Sequence, residues 1–325
     1  MTPKGGGGAS EAAASGSSRP ALIASIINNL LWGGAPLLFM ALGRAGATSW
    51  EIVAHRAMWS APWAALLVFV AGQGGQVWRV LREPRTLGLL LLSAVSIATG
   101  WSLYVWAVNH GRNLESSLGY YINPLMNMAA GAVLFRERID KVGMAAIVLA
   151  VIGVAIQTVA LGHLPVISLV LATTFWIYGL IRRQVNVDAQ AGLLVECLFM
   201  AGPGLIGVIW LHSTGQGMFG HALGSSLLMT LVGPVTVIPL ALFAWAARRL
   251  SFATMGFLQF LSPTVGFCIG VWIGEPLTPL RLLSFVFIWA GAGMFAFGAW
   301  RASRRNQSLM TLDGTDPRSE SGSQL

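Results

Sequence analysis

Long uncharged, apolar runs dominate this chain and restrict it to a fold that is buried in lipid. Only 10% of its 325 residues are charged, whereas a soluble domain carries about a quarter. A helix needs about 20 apolar residues to cross the hydrocarbon of a bilayer. The uncharged runs that are this long, or longer, are 20–43, 57–78, 86–111, 116–135, 142–181, 250–274 and 282–300. These runs exclude a water-soluble enzyme.

Two stretches are long enough to hold two helices each. The run 142–181 is broken by the turn-forming segment 162–165. The stretch 189–247, in which Glu196 is the only charge, is broken by the Gly- and His-containing segment 212–224. The sequence therefore predicts an all-α integral membrane protein with ten transmembrane helices.

The basic residues favour one orientation of the ten spans. If the N-terminus is cytoplasmic, all but four of the 20 Lys and Arg residues lie on the cytoplasmic side. The four exceptions are Arg44, Arg56, Arg112 and Arg281. This bias is the positive-inside pattern, so we expect a multi-pass protein of a bacterial-type inner (plasma) membrane with both termini cytoplasmic. The polar, low-complexity ends, 1–19 and 302–325, are expected to be disordered tails.

The chain contains an internal repeat. Four residues of the first half recur 138 or 139 positions later in the second half. They are Trp106, Pro124, Glu137 and Gly153, which match Trp245, Pro263, Glu275 and Gly291. Two five-helix halves, 20–161 and 164–301, are implied. Because five is odd, the second half enters the membrane from the opposite side, and such inverted pairs are typical of secondary transporters. Chance matches between two hydrophobic stretches are the alternative.

Ionisable residues within the spans are few, and each is a candidate functional group because a charge in lipid is costly. Glu196 lies about seven residues into the seventh span, where burial disfavours its charged form, so it is a candidate proton carrier. Glu51 and His55 share a helical face beside Arg56 and are a candidate gate or site for an anionic or zwitterionic solute. Glu115 begins the fourth span at the same outer side and is a candidate for an outer gate. The alternatives are snorkelling or a structural hydrogen bond for Glu196, interfacial charge for Glu51 and His55, and helix capping for Glu115.

A second set of residues is a candidate substrate lining. Asn123 and Asn127 lie one turn apart on the fourth span, and with Tyr120 they form the preferred pocket because a buried amide needs a partner. The other candidates are aromatic or amide side chains on the third and ninth spans: Trp101, Trp106 and Gln259. Helix packing and interfacial aromatic belts are the alternative explanations.

Motifs in both halves resemble the RarD branch of the EamA transporter family. They include Glu51-Ile52-Val53-Ala54-His55-Arg56, Trp106-Ala107-Val108-Asn109, Gly119-Tyr120-Tyr121-Ile122-Asn123-Pro124, Asp188-Ala189-Gln190-Ala191-Gly192 and Pro263-Thr264. The resemblance covers residues 20–300 and implies ten helices, two EamA repeats and a permease of the drug/metabolite transporter superfamily. One departure is that Arg136-Glu137-Arg138 stands where such repeats usually show Gly-Glu, as Gly274-Glu275 does.

These features favour a secondary active transporter that moves a small organic metabolite or drug by alternating access between the halves. The absence of a Walker A motif leaves a proton or another gradient as the energy source. A lipid-linked carrier flippase, or a non-transporting accessory protein of the same fold, is the alternative. We expect no enzymatic activity, since no HExxH or GxSxG motif occurs, and no metal site or cofactor. We expect no nucleic-acid partner either, because the basic residues sit between apolar segments and their expected partner is the lipid bilayer. The sequence leaves the substrate, the direction of transport and the oligomeric state open.

Overall fold

The computed structural model is helical throughout the part of the chain that it describes. It describes the backbone of residues 7–134, 141–247, 249–250 and 258–313. Side chains are described within residues 19–301, apart from 124–125, 127–140, 161, 183, 244, 247–248, 251–257, 295–296 and 299–300. The helices are α1 (Gly7–Arg44), α2 (Ser49–Val70), α3 (Gly74–Leu81), α4 (Pro84–Asn109), α5 (Asn113–Leu134), α6 (Lys141–Leu161), α7 (Val166–Gln184), α8 (Ala189–Ser213), α9 (Leu223–Ala247), α10 (Leu261–Trp272) and α11 (Pro279–Asp313).

Six of these helices are long and apolar enough to cross a membrane, judged by length and composition. They are α1 from Arg19 onward, α2, α4, α6, α8 and α9. Three shorter apolar segments lie in α7, α10 and the first half of α11. Large apolar side chains also cover the outside of the molecule, as at Phe69, which is 82% exposed. Such a surface suits lipid rather than water, and the predicted helical membrane-protein class is confirmed.

The second span does not lie where the uncharged run places it. The sequence predicts 57–78, whereas α2 begins eight residues earlier and the separate short helix α3 follows it. The early start has a cap, because Thr48 Oγ1 accepts a hydrogen bond from the Glu51 N–H at 3.1 Å. Arg56 does not end the helix because neighbouring helices bury it. A charge inside a span was therefore mistaken for a boundary.

Helix also continues into both regions that the sequence predicts as disordered tails. α1 begins at Gly7 and α11 ends at Asp313. The first of these extensions is rich in alanine, which has the highest helix propensity of all residues. The domain boundaries at 20, 161, 164 and 301 stay predictions.

α2 is held between two helices of the predicted second half by close backbone contacts. A Cβ on Gly204 of α8 would lie 2.8 Å from the Ala54 carbonyl oxygen. A Cβ on Gly233 of α9 would lie 2.5 Å from the Trp59 carbonyl oxygen. Glycine at these positions lets α8 and α9 approach α2 from two sides.

α6 and α11 pack through two glycines that occupy matching positions in the predicted repeat. A Cβ on Gly153 of α6 would lie 2.6 Å from Ile288 Cγ1 and 3.0 Å from the Ser284 carbonyl oxygen of α11. A Cβ on Gly291 of α11 would lie 2.9 Å from the Ala146 carbonyl oxygen of α6. The Ser284 hydroxyl also donates to the Gly153 carbonyl at 2.8 Å. Each helix thus presents its glycine to the backbone of the other.

Replacing Gly153 or Gly291 by leucine is expected to force α6 and α11 apart. The expected loss of stability is about 1–3 kcal/mol for each variant, the usual cost of overpacking. Thermal unfolding of the purified protein in detergent measures it. Gly293→Leu is the matched control, because nothing lies within 4 Å of the place where its Cβ would be. Equal losses in all three variants would contradict this account of the contact.

Candidate functional site

A cavity of about 380 Å³ lies among α1, α5, α7 and α10, with residues of α4 and α9 at its edge. Its volume is typical of a small-molecule pocket. The polar groups that line it are Asn28, Asn29, Asn113, Ser116, Ser117, Asn123, Gln259 and Ser262. The aromatic rings that line it are Trp32, Tyr104, Tyr120, Phe175, Tyr178 and Phe243. This central cavity therefore offers both ring surfaces and hydrogen-bonding groups to an organic molecule.

α5 supplies four of the eight polar residues of the wall. Asn113, Ser117, Tyr120 and Asn123 are three or four positions apart, so helical geometry places them on the same side. The next residue, Tyr121, lies away from the cavity. Its hydroxyl accepts a hydrogen bond from Trp289 Nε1 at 2.8 Å, and its side chain is fully buried. The helix thus divides its two tyrosines between the cavity and the core.

α1 supplies two buried amides that sequence reasoning missed. Asn29 Nδ2 donates to the Ser25 carbonyl oxygen at 2.8 Å. Asn28 Oδ1 has no donor among the described residues, so this acceptor is available to a bound molecule. The signal was present, because two adjacent amides inside an apolar run are as costly as those on α5.

The structure brings half of the predicted substrate residues to the central cavity. Those that line it are Tyr120, Asn123 and Gln259. Trp101 lies instead in a neighbouring groove, and Trp106 lies near the end of α4, where it is 36% exposed. Asn127 belongs to α5, but its side chain is outside the described residues. The part that these six residues play in substrate binding stays a prediction.

A second space of about 620 Å³ opens between α2, α4 and α8. Leu91 and Val95 of α4 line it and are exposed, whereas Arg56 and Trp101 line it and are buried. The space is therefore a groove with an apolar rim on the outside of the helix bundle and a cation at its base. We call it the lateral groove.

Glu51 and His55 are brought onto the connection between α8 and α9. Glu51 Oε1 accepts hydrogen bonds from the backbone N–H groups of Met218 and Phe219, at 2.7 and 3.1 Å. The His55 ring lies against the Phe219 ring, with 4.6 Å between centroids. Arg56 points elsewhere, because adjacent residues of a helix face different directions. The three residues therefore do not form one site.

A carboxylate of the predicted second half binds the start of α5. Glu275 follows α10 after Gly274, whose φ of +88° turns the chain in a way that glycine adopts without strain. Glu275 Oε1 accepts from the backbone and side-chain N–H groups of Asn113 at 2.6 and 2.7 Å, and Oε2 accepts from the Leu114 N–H at 2.9 Å. The first N–H groups of a helix lack partners within it, and the helix dipole favours an anion there. Sequence reasoning noted Glu275 as part of a motif but did not identify this contact.

The Glu51 and Glu275 contacts lie at the same end of the helix bundle. Residues of the α1–α2 turn, of the end of α4 and of the end of α10 line one shared depression there. Glu51 belongs to the predicted first half and binds the second half, whereas Glu275 belongs to the second half and binds the first. The two carboxylates therefore close this end reciprocally.

The other two predicted acidic residues have basic neighbours. Glu196 is 1% exposed on α8, where it accepts a hydrogen bond from Ser93 Oγ at 2.6 Å and lies 3.9 Å from Arg182 Nε. Glu115 lies in the first turn of α5, and its Oε1 is 3.7 Å from Nη1 of Arg112. Sequence reasoning placed Glu196 inside a span but did not predict Ser93 and Arg182 as its partners.

Comparison with known proteins assigns the chain to a family. Residues 19–159 match the EamA-like transporter family. An uncharacterized transporter of Pseudomonas aeruginosa is 41% identical over 88% of this chain and 96% of that protein. The protein RarD of Salmonella typhi is 38% identical over 89% and 98%, and an uncharacterized transporter of Vibrio cholerae is 37% identical over 88% and 94%. This chain therefore belongs to the EamA-like transporter family, in its RarD-like branch.

A solved crystal structure has a similar fold. It covers 86% of this chain and 98% of its own chain with a TM-score of 0.58, at 18% sequence identity. This likeness concerns the fold alone.

Glu275→Gln is expected to loosen the start of α5, because a neutral amide cannot accept hydrogen bonds through both of its terminal atoms. The expected loss of stability is about 1–3 kcal/mol, as for other broken hydrogen bonds to a charged group. Thermal unfolding in detergent measures it. Glu83→Gln is the control, since Glu83 is exposed and makes no side-chain hydrogen bond to the start of α4. A variant Glu275→Gln as stable as this control would show that the contact adds nothing.

Proposed function

We propose that this protein is a secondary active transporter that moves a small organic metabolite or drug across a bacterial inner (plasma) membrane. The observation that carries the proposal is the central cavity, found in a chain of the EamA-like transporter family. Helices of both predicted halves line it, α1 and α5 from the first and α7 and α10 from the second. A molecule bound between two halves can be exposed to either side in turn as the halves rock.

The proposed architecture is ten spans in two inverted repeats, 20–161 and 164–301, with both termini cytoplasmic. α3 is then a short helix between spans, and each other helix is one span. The reciprocal glycine contact between α6 and α11 supports this arrangement, because these are the fifth helices of the two halves. The reciprocal contacts of Glu51 and Glu275 support it in the same way.

The proposed cycle uses Glu51 and Glu275 as latches of the outer end. Outward opening then requires these carboxylates to release the backbone N–H groups that they bind. His55 and Glu115 lie near this outer end as well.

A lipid-linked carrier flippase is the second candidate function. The lateral groove favours a flippase, because the exposed apolar residues of the groove's rim lie on the surface that would contact lipid. The central cavity favours the permease, because its lining is richer in polar groups than that of the groove.

Cysteine labelling tests the proposed orientation. In a background without Cys197 and Cys268, Ser213→Cys is expected to react with a membrane-impermeant thiol reagent added to intact cells. Gln184→Cys is expected to react only after the cells are opened. Both positions are exposed in the structure, so accessibility of the side chain is matched. Labelling of Gln184→Cys in intact cells would reverse the orientation and overturn the assignment of an outer end.

Glu196→Gln tests proton coupling. Glutamine cannot bind and release a proton, so the variant is expected to exchange substrate across proteoliposome membranes but to lose accumulation driven by a pH gradient. The substrate for this assay is one found by thermal-shift screening of the purified protein. Ser93→Ala is the control, because it removes the 2.6 Å hydrogen bond but keeps the carboxylate. Unchanged accumulation in Glu196→Gln would assign Glu196 a structural role beside Arg182.

A further inference from the structure

Arg56 carries a buried positive charge without an acidic partner in the described part of the chain. It lies about two turns into α2, or about 10 Å from the first residue of that helix. Its side chain is 1% exposed, and its Nε and Nη1 atoms have no acceptor among the described residues. The ion pairs found there are those of Arg112 and Arg182, so no carboxylate lies within 4 Å of Arg56.

Aromatic rings take the place of a carboxylate around Arg56. Its Cζ atom lies 3.9 Å from the ring centroid of Trp101, 5.5 Å from that of Trp32 and 5.6 Å from that of Phe39. Cation–π contacts offset part of the cost of burying a guanidinium, but they leave its Nε and Nη1 atoms without acceptors among the described residues. The structure thus holds this cation in place with two of its donor atoms unpaired.

Arg56 lies between the lateral groove and the central cavity. It lines the base of the lateral groove together with Trp101. The guanidinium of Arg56 also lies over the ring of Trp32, and Trp32 lines the central cavity. A molecule bound to the guanidinium from the groove side would therefore be one aromatic layer away from the cavity.

The lateral groove has the chemistry of a site for an amphipathic anion. Arg56 is the one charged residue among those that line it in the described part of the chain. A lipid acyl chain would match the apolar walls but would leave the guanidinium unpaired, and a phospholipid head group belongs at the interface rather than this far along α2. A small apolar molecule that carries a carboxylate matches both the apolar walls and the guanidinium, because arginine binds carboxylates through two parallel hydrogen bonds.

We propose that Arg56 binds the carboxylate of a small amphipathic organic acid that enters the lateral groove from the bilayer. This inference rests on the proposed function only in treating that acid as a substrate. Binding at Arg56 is testable without transport.

The test uses the full-length protein in phosphatidylcholine nanodiscs and two photoreactive probes. One is a diazirine analogue of dodecanoic acid, and the other is its neutral primary amide. The acid is expected to bind at least tenfold more tightly than the amide, measured by saturable competition with unlabelled dodecanoate. Mass spectrometry of the cross-linked protein is expected to place the acid on groove residues such as Val95 and Phe199. Arg56→Gln is expected to lower the affinity for the acid at least tenfold, to that for the amide.

Three variants control this test. Arg56→Lys keeps the charge and is expected to restore part of the affinity for the acid. Arg112→Gln removes a partly exposed arginine and is expected to change nothing. Ala98→Trp fills the groove beside Arg56 without altering the charge, and it is expected to abolish labelling even if Arg56→Gln does not fold. The melting temperature of Arg56→Gln without probe is expected to be no lower than that of the parent, because an unpaired buried charge is removed.

Several results would overturn the proposal. Equal binding of acid and amide, or acid binding that survives Arg56→Gln, would remove Arg56 as the anion site. Cross-links at Tyr120 or Phe175 would place the acid in the central cavity instead of the groove. Displacement of the acid by phosphatidylglycerol in the nanodisc would assign the groove to lipid. None of these results depends on transport or on the cysteine labelling, so failure here is distinguishable from failure of the proposed function.

Discussion

Backbone N–H groups that lie away from water need an acceptor within the protein, and the rest of this structure depends on that requirement. The long helices satisfy it along their own length. Helix starts and connections need other acceptors, and side chains supply several of them. Thr48 serves the start of α2, Glu275 serves the first residues of α5, and Glu51 serves the connection between α8 and α9. Because each of the two glutamates belongs to one predicted half and binds the other, these contacts also connect the predicted halves.

The size of the side chains decides where helices touch and where space remains. Glycines bring α8 and α9 onto α2 and join α6 to α11, so the helix backbones lie close together at these points. Around the central cavity the facing residues are aromatic rings and amides, which hold α1, α5, α7 and α10 apart. The packed and open regions thus both follow from the size of the facing side chains.

Hydropathy and spacing predicted the helical membrane class and several cavity residues, but not the long-range contacts. Asn123 is predicted because a buried amide needs a partner, Tyr120 because it lies within a turn of Asn123, and Glu196 because it is a single charge in an apolar stretch. Counting uncharged runs misplaced α2, because that method treats Arg56 as a boundary while tertiary packing buries it. The pairing of Glu275 with Asn113 spans 162 positions. No local pattern encodes such a contact, and the matching residue of the first half, Glu137, lies outside the described part of the chain.

The contacts of Glu51 have a consequence for how freely their partners can vary over evolution. The carboxylate binds backbone N–H groups, which every residue except proline provides. A substitution other than proline at position 218 or 219 therefore keeps the donor of these hydrogen bonds, whereas the glutamate has no substitute of equal reach and charge. Selection therefore acts on the identity of the glutamate but not on the side chains of its partners. A loop whose sequence varies can still be required for this contact, and proline is the residue that selection should exclude from positions 218 and 219.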